Sequence, residues 1–192
     1  MNRFVGRDTE LQQLEASLYP DSSRRKVYVI HGLGGMGKTQ LAIEFARKHH
    51  KKYSAVFWLD ASSMDSIGQS LVNVACGLPQ DELSADITEE LQHPKINVSI
   101  IANGVSHWLS LPSNQSWLLI FDNVDRDHTL QNKDPQAYDV RDFFPPADHG
   151  SIIITSRLSN LQRYGTGSKL SIVNDEQAMK ILENNSERSI QG

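Results

Sequence analysis

The chain has 192 residues, of which 39% are hydrophobic and 22% charged, a balance typical of a globular domain that buries its own core. Nineteen basic residues against 23 acidic ones leave a net charge of -4, which argues against general electrostatic binding to nucleic acid or an anionic membrane. The single cysteine, Cys76, excludes an internal disulfide and argues against a structural zinc site. Because we find no membrane-span run and no signal-peptide core, we expect a cytoplasmic protein with no membrane partner.

Helical and strand patterns alternate along the sequence. The first helix is predicted to begin near Asp8, its expected N-cap, because leucines recur at helical spacing from there to the break at Pro20. Runs of β-branched or apolar residues predict strands at 26–31, 55–60, 116–122 and 151–157, with a weaker edge strand at 169–173. Apolar periodicity predicts further helices from residue 38, at 64–75 and at 96–109, a short one within 78–94, and another that opens at 175–182.

Two of the predicted strands are apolar almost without alternation, at 118–121 and 152–154. Strands of this kind lie inside a sheet that helices cover on each side, and alternation of strands with helices gives a parallel sheet. We therefore expect an α/β fold of three layers. The connection at 125–150, rich in Asp and Pro, is longer than most in compact domains, so we expect a functional or mobile loop there.

The strongest local signal is a phosphate-binding loop. Gly32 to Thr39 fit the pattern G-x-x-x-x-G-K-[ST] between a predicted strand and a predicted helix. Glycines let the backbone wrap around phosphates with successive N–H groups pointing inward, and the following helix directs its positive dipole end at the same anion. Lys38 can then reach the outer phosphates, and the Thr39 hydroxyl can bind Mg²⁺.

A magnesium–nucleotide site also needs a carboxylate opposite the loop. Asp122 follows four apolar strand residues, at the carboxyl end of a predicted central strand, which is the sheet edge where ligands bind. We therefore expect Asp122 to act on the magnesium side of the site. Asp125, three residues later, is left with three possible roles: catalytic base, loop cap or solvated acid.

Two more segments are candidates for the site. The strand at 151–157 ends in a Thr-Ser-Arg sequence, and the Arg157 guanidinium is a planar, permanently charged group suited to a terminal phosphate. The alternative is an arginine solvated beyond the strand end. Before the first helix, the segment Phe4 to Arg7 would by itself be explained by a hydrophobic staple and a turn.

Taken together and in order, these segments resemble the NB-ARC group of STAND ATPases, the nucleotide switches of NOD-like receptors, plant resistance proteins and apoptotic activating factors. The segment Phe4 to Asp8 is similar to the hydrophobic-hydrophobic-Gly-Arg-Glu motif that opens this domain. Gly32 to Thr39, Leu118 to Asp125 and Ile152 to Arg157 resemble its Walker A loop, Walker B strand and sensor-1 strand. Val56 to Asp60 is similar to the strand between the first two. The likeness covers nearly the whole chain and is strongest to fungal NLR-like proteins.

The resemblance implies a three-layer P-loop NTPase fold with a parallel five-stranded sheet of order 5-1-4-3-2, and it implies ATP or ADP and Mg²⁺ as cofactors. It implies these nucleotide-binding residues: Phe4, Val5, Arg7, Gly34, Gly35, Met36, Gly37, Lys38, Thr39 and Gln40. The backbone of the first three would hold the adenine. Thr39 and Asp122 would hold the metal. Asp122, Asp125 and Arg157 would form the catalytic set, with Arg157 at the terminal phosphate of ATP.

The sequence departs from the family in two ways. The family often has a second acid directly after the magnesium acid, and here that position is Asn123. An amide cannot take a proton from water, so we expect slow hydrolysis unless Asp125 or another group substitutes. The helical subdomain and winged helix of the family are also missing.

We therefore expect one nucleotide-binding domain over 1–192. Its predicted parts are an amino-terminal segment and helix at 1–25, the P-loop core at 26–173, and at 174–192 the start of a segment leading to the missing subdomain. As partners, the resemblance implies nucleotide, flanking effector and repeat domains of the same chain, and further copies in an activated homo-oligomer.

The leading hypothesis for function is an ATP/ADP-binding switch module of an immune or cell-death receptor, with slow hydrolysis. A second hypothesis is a working ATPase of AAA+ type, whose turnover is the function. A third is a scaffold that carries nucleotide permanently as a structural ligand. A metabolite kinase fits poorly, because the sequence has no arginine-rich lid or second substrate motif.

Overall fold

The computed structural model describes residues 6–19, 24–128, 134–172 and 178–179. Within these residues lie five strands and five α-helices; beginning with a helix, the first two helices and the first two strands alternate, the other three helices then follow in succession, and the other three strands come last. The strands are β1 (Lys26–His31), β2 (Ala55–Asp60), β3 (Trp117–Asp122), β4 (Ser151–Ser156) and β5 (Thr166–Lys169). The α-helices are α1 (Asp8–Leu18), α2 (Lys38–His49), α3 (Met64–Gly77), α4 (Ala85–Gln92) and α5 (Val98–Ser110). Short 3₁₀ helices cover His50–Lys52, Gln80–Glu82, Val140–Phe143 and Ser159–Tyr164.

The strands form one sheet in which every neighbouring pair is parallel. Its order is β2-β3-β4-β1-β5, which is the predicted order 5-1-4-3-2 counted from the other edge. The predicted sensor strand β4 therefore lies between β1, which leads into the phosphate loop, and β3, which ends at the candidate magnesium acid Asp122. The carboxyl ends of β1, β3 and β4 meet at one edge of the sheet.

Apolar residues of the central strands divide between two cores, one on each face of the sheet. Leu118 and Ile120 pack with the leucines of α1 and α2, whereas Leu119 and Phe121 pack with α3 and α5 on the opposite face. The side chains of β3 from Trp117 to Phe121 are all essentially inaccessible to solvent. The three-layer prediction is confirmed, because a strand covered on both faces needs apolar residues at successive positions.

The edge strand differs from the prediction. It was expected at 169–173 but lies at Thr166–Lys169, where Tyr28 to His31 of β1 pair with it. Backbone pairing, not an apolar pattern, determines this strand: a Cβ on Gly167 would lie 2.4 Å from the carbonyl oxygen of Val29, so the close approach needs glycine. Leu170 follows the strand and is buried.

The ends of two helices also differ. Asp8 is the first residue of α1 and not its N-cap; the cap position is Arg7, in the left-handed conformation with φ 65° and with no capping side chain. Helix α5 begins at Val98, because the Asn97 side chain accepts a hydrogen bond from the N–H of Ser99 and starts the helix there. The helix expected to open at 175–182 falls almost wholly outside the described residues.

Candidate functional site

The phosphate loop connects β1 to α2, as its sequence requires. Gly32 (φ 151°) follows the strand, and a Cβ there would lie 2.6 Å from the carbonyl oxygen of Leu170. Gly37 (φ 83°) occupies the N-cap position of α2. A Cβ on Gly35 or Gly37 would meet nothing within 4 Å, so the space above this part of the loop is open, as binding of a polyphosphate to the backbone requires.

Lys38 lies inside the loop. Its ammonium group donates to the carbonyl oxygens of Gly32 and Leu33, both at 2.9 Å. Burial lowers the pKa of Lys38, as does the nearby Arg157 guanidinium, whereas the carboxylates of Asp125 and Asp122 act in the opposite direction. The charges of the three residues predicted to form the catalytic set therefore all act on the lysine.

Asp122 lies opposite the loop and accepts two hydrogen bonds through the same oxygen. The Thr39 hydroxyl donates to Oδ1 at 2.9 Å, and the Thr155 hydroxyl donates to it at 2.5 Å. A threonine hydroxyl beside a carboxylate is a pair of hard oxygen ligands of the kind Mg²⁺ prefers, when phosphates and waters supply the rest of its shell. These residues therefore fit the metal that the sequence implies.

The chain turns sharply after Asp122. Asn123 has φ 71° in the left-handed region, and its N–H donates to the Thr155 hydroxyl at 2.9 Å. The N–H of Val124 donates to the Thr155 carbonyl oxygen at 2.9 Å. Thr155 thus ties the exit of β3 to the end of β4 and fixes the position of the Asp122 carboxylate.

Asp125 and Arg157 form an ion pair beside the loop. Nε of Arg157 lies 2.9 Å from Oδ2 of Asp125, and the backbone N–H of Arg157 donates to Oδ1 at 2.7 Å. The Arg157 side chain is 65% exposed, and its Cζ lies 4.0 Å from the position that a Cβ on Gly34 would take. In this arrangement Asp125 has the geometry of a loop cap, with both oxygens occupied.

Arg7 connects the segment before α1 to the phosphate loop. The buried guanidinium donates to the carbonyl oxygen of Met36 at 3.2 Å and to that of Ser171 at 2.6 Å, and it pairs with Glu10 at 3.0 Å. The other predicted adenine contacts, Phe4 and Val5, lie outside the described residues. Gln40 is exposed in the first turn of α2.

The hydrogen bonds of two residues around the site were not predicted from the sequence, which offered the Thr155 hydroxyl only as a possible sensor of the terminal phosphate. The role of Thr155 follows from the parallel register, since Phe121 pairs with Ile154 and Asp122 is therefore beside Thr155. The second is Asp127, 3% exposed, which accepts hydrogen bonds from Asn160 and Arg163, each at 2.8 Å. No local pattern indicates these contacts, because they join residues 33 and 36 positions apart.

The family assignment comes from comparison with known proteins. Residues 3–140 match the family described as the AAA ATPase domain. The chain belongs to this family. It is 26% identical over 196 residues to a nucleotide-binding leucine-rich repeat (NLR)-like protein of the fungus Hyaloscypha variabilis, covering 95% of this chain and 19% of that protein. The chain thus spans about a fifth of the length of that relative.

Two solved structures share the fold. One is a STAND protein with a tetratricopeptide repeat sensor from Pyrococcus horikoshii, with TM-score 0.52 and 20% identity over 96% of this chain and 26% of the other. The second is Cdc6p of Pyrobaculum aerophilum, with TM-score 0.61 and 11% identity over 96% of this chain and 51% of the other. With the NLR-like relative and the family match, they confirm the resemblance to the P-loop NTPase domains of STAND and NLR-like proteins.

No helix in the described part of the chain has the length and apolar character that a bilayer crossing requires.

Proposed function

We propose that this domain binds ATP and ADP with Mg²⁺ and acts as the nucleotide switch of an NLR-like signalling protein. The observation that carries the proposal is the Thr39–Asp122 hydrogen bond at 2.9 Å, beside a loop that holds Lys38. Because the hydroxyl and the carboxylate come from different elements, their approach puts a metal-binding pair next to a phosphate-binding loop.

In the proposed complex each residue has a distinct part. The open backbone of Gly34 to Gly37 and the Lys38 ammonium group bind the phosphates, and Thr39 and Asp122 hold the metal. Mg²⁺ supplies charge neutralisation between the phosphates. Arg157 binds the terminal phosphate that distinguishes ATP from ADP.

Two features support slow hydrolysis over rapid turnover. Asn123, next to the magnesium acid, has an amide that cannot accept a proton from water. Asp125, the other candidate base, has one oxygen held by the backbone N–H of Arg157, a contact that remains when the Arg157 side chain binds phosphate. A switch benefits from slow turnover, since a population shift needs states that differ in their affinity for ATP and ADP and that persist.

A working ATPase is the second candidate, and membership of the AAA ATPase domain family favours it. Turnover at the rates of a motor requires a catalytic acid or base and, in many such enzymes, an arginine from a neighbouring subunit worth roughly 10³-fold or more. Steady-state release of phosphate discriminates between the two: the switch predicts slow release from the isolated domain, and the ATPase predicts sustained turnover.

The wider proposals concern the whole protein. The NLR-like relative is about five times longer than this chain, which supports flanking effector and repeat domains and nucleotide-dependent assembly of copies. Signalling in innate immunity or programmed cell death, in the cytoplasm, is the setting we propose. Recovery of the full-length protein as a larger oligomer with ATP than with ADP would support assembly.

Nucleotide binding is tested by thermal and chemical unfolding with Mg²⁺ and ADP, ATP or a non-hydrolysable ATP analogue. A nucleotide at a hundred times its dissociation constant is expected to stabilise the domain by about 2.7 kcal/mol. Lys38→Ala should remove most of this stabilisation, because the phosphates lose their cation. Lys51→Ala, at an exposed lysine in the turn after α2, is the matched control and should retain it. Absence of stabilisation by every nucleotide would overturn the proposal.

A further inference from the structure

The side chain predicted to bind the terminal phosphate already has an anionic partner. Among the described residues, Asp125 is the one ion-pair partner of Arg157, at 2.9 Å through Nε. A carboxylate and a phosphate oxygen are the same kind of ligand for a guanidinium, a charged planar acceptor of N–H bonds. Asp125 therefore has the chemistry to compete with phosphate for this arginine.

The two ends of the pair differ in how firmly they are held. Asp125 is 22% exposed, and its Oδ1 accepts from the backbone N–H of Arg157 and lies 3.5 Å from the Ser156 hydroxyl. The Arg157 side chain is 65% exposed and lies along the phosphate loop at Gly34. A change of partner therefore needs only rotation of the arginine side chain, since its backbone stays bonded to Asp125.

The surrounding backbone is anchored independently of this pair. Asp127, two residues after Asp125, is buried and accepts hydrogen bonds from Asn160 and Arg163 of the 3₁₀ helix that follows β4. The segments that follow β3 and β4 are thus joined a second time. Release of Arg157 from Asp125 leaves this second junction in place.

We propose that Asp125 is a specificity-determining residue that competes with the terminal phosphate of ATP for Arg157 and thereby lowers the preference of the domain for ATP over ADP. The inference rests on the proposed nucleotide binding and assigns Asp125 a positioning role instead of that of a base. ADP has no terminal phosphate at this position, so the competition affects ATP alone.

The test measures the ratio of dissociation constants for ADP and a non-hydrolysable ATP analogue by calorimetry with Mg²⁺. Asp125→Asn keeps an oxygen that accepts from the Arg157 N–H and removes the charge that holds the guanidinium. The ratio is expected to shift toward ATP by about two- to fivefold, the range for a solvent-exposed ion pair. Asp125→Ser serves as a second variant if the first is poorly folded.

The control separates competition from a general gain of positive potential. Loss of any acid near the phosphates strengthens binding of every anionic ligand, and more so the more highly charged one. We therefore repeat the comparison in an Arg157→Gln background, where competition is absent but the general effect persists. The shift caused by Asp125→Asn is expected to be smaller in this background, where only the general effect remains.

Three outcomes would overturn the inference. An unchanged ratio in Asp125→Asn, or an equal shift in both backgrounds, overturns the competition alone while nucleotide binding stands. A wild-type domain that binds neither nucleotide overturns the proposed function, and the inference with it. Because hydrolysis is not measured, the result is independent of any role of Asp125 in turnover.

Discussion

A single hydroxyl organises the metal side of the candidate site. Thr155 is 1% exposed, donates to Asp122 and accepts from the N–H of Asn123, so its buried hydroxyl is paired both as a donor and as an acceptor. Leaving such groups unpaired costs about 1–3 kcal/mol each, more than the net gain of an ordinary hydrogen bond.

Thr155→Val tests this role, because valine has the same shape but no hydroxyl. We expect a loss of about 1–3 kcal/mol in the free energy of unfolding, together with weaker magnesium dependence of nucleotide binding, as the Asp122 carboxylate loses a positioning bond. Thr88→Val, at a threonine of α4 whose hydroxyl donates to the carbonyl oxygen of Ser84, the N-cap residue of that helix, is the control and should change stability by about 0.5 kcal/mol or less. Equal losses in the two variants, measured by urea unfolding, would contradict the assignment.

Among the single residues of the site, the sequence predicts those that belong to its motifs. The structure brings three of them, Lys38, Thr39 and Asp122, to one edge of the sheet. The Asp125–Arg157 pair could not be predicted in the same way. It joins residues 32 positions apart and depends on the left-handed turn at Asn123, for which the sequence has no strong signal. The sequence alone therefore leaves three roles for Asp125, and its ion pair with Arg157 favours that of a loop cap.

The elements are held in place by a few close contacts between strands and their connections. Gly150 precedes β4 with φ 84°, and a Cβ there would lie 2.3 Å from ring atoms of Trp117, the fully buried first residue of β3. The indole is fixed, since its N–H donates to the Leu109 carbonyl oxygen at 2.7 Å. The backbone just before β4 thus lies so close to the Trp117 ring that position 150 has no room for a side chain.

Gly150→Ala should destabilise the domain by about 2 kcal/mol or more, from overpacking against the indole and from the left-handed backbone. Gly77→Ala is the matched control, because a Cβ at this last residue of α3 meets nothing within 4 Å and alanine favours helix. We expect the control to be neutral or stabilising by up to about 1 kcal/mol in the same unfolding experiment. Equal free energies of unfolding for Gly150→Ala and wild type would contradict this account of the contact between Gly150 and the Trp117 ring.

Strands whose apolar residues reflect burial are predicted well from the sequence, whereas the edge strand, which depends on backbone contacts, is not. The strands β3 and β4 are recognised because both of their faces are covered. The edge strand β5 consists of Thr, Gly, Ser and Lys, so nothing in its side chains indicates a strand, and it was predicted three residues late. The sheet order was implied by the family resemblance and not by any periodicity in the sequence.

For the molecule as a whole, two buried tyrosines limit stability at high pH. Burial raises the pKa of Tyr53 from 10.0 to about 12, and its hydroxyl donates to the Leu18 carbonyl oxygen at 2.9 Å. Burial also raises the pKa of Tyr138, whose hydroxyl donates to the carbonyl oxygen of Ala61. Above pH 10 the unfolded chain loses protons that the folded chain keeps, so stability falls as the pH rises.

The free energy of unfolding should therefore be insensitive to these groups below about pH 9 and should fall between pH 10 and 12 by up to about 1.4 kcal/mol per pH unit for each tyrosine. Tyr53→Phe is expected to make this fall shallower, although it lowers stability at pH 8 by about 1 kcal/mol through the lost hydrogen bond. Denaturant unfolding at a series of pH values measures the slope. An identical slope in wild type and variant would contradict this account of Tyr53.

One arginine gives the domain a common point of attachment for distant parts of its chain. Arg7, before α1, bonds the carbonyl oxygens of Met36 in the phosphate loop and Ser171 after β5, which lies 164 positions away. The stretches that enter and leave the core are thus tethered to one guanidinium, and that guanidinium rests on the loop. A displacement of the phosphate loop, if the proposed nucleotide exchange causes one, would therefore act on both stretches together through this guanidinium.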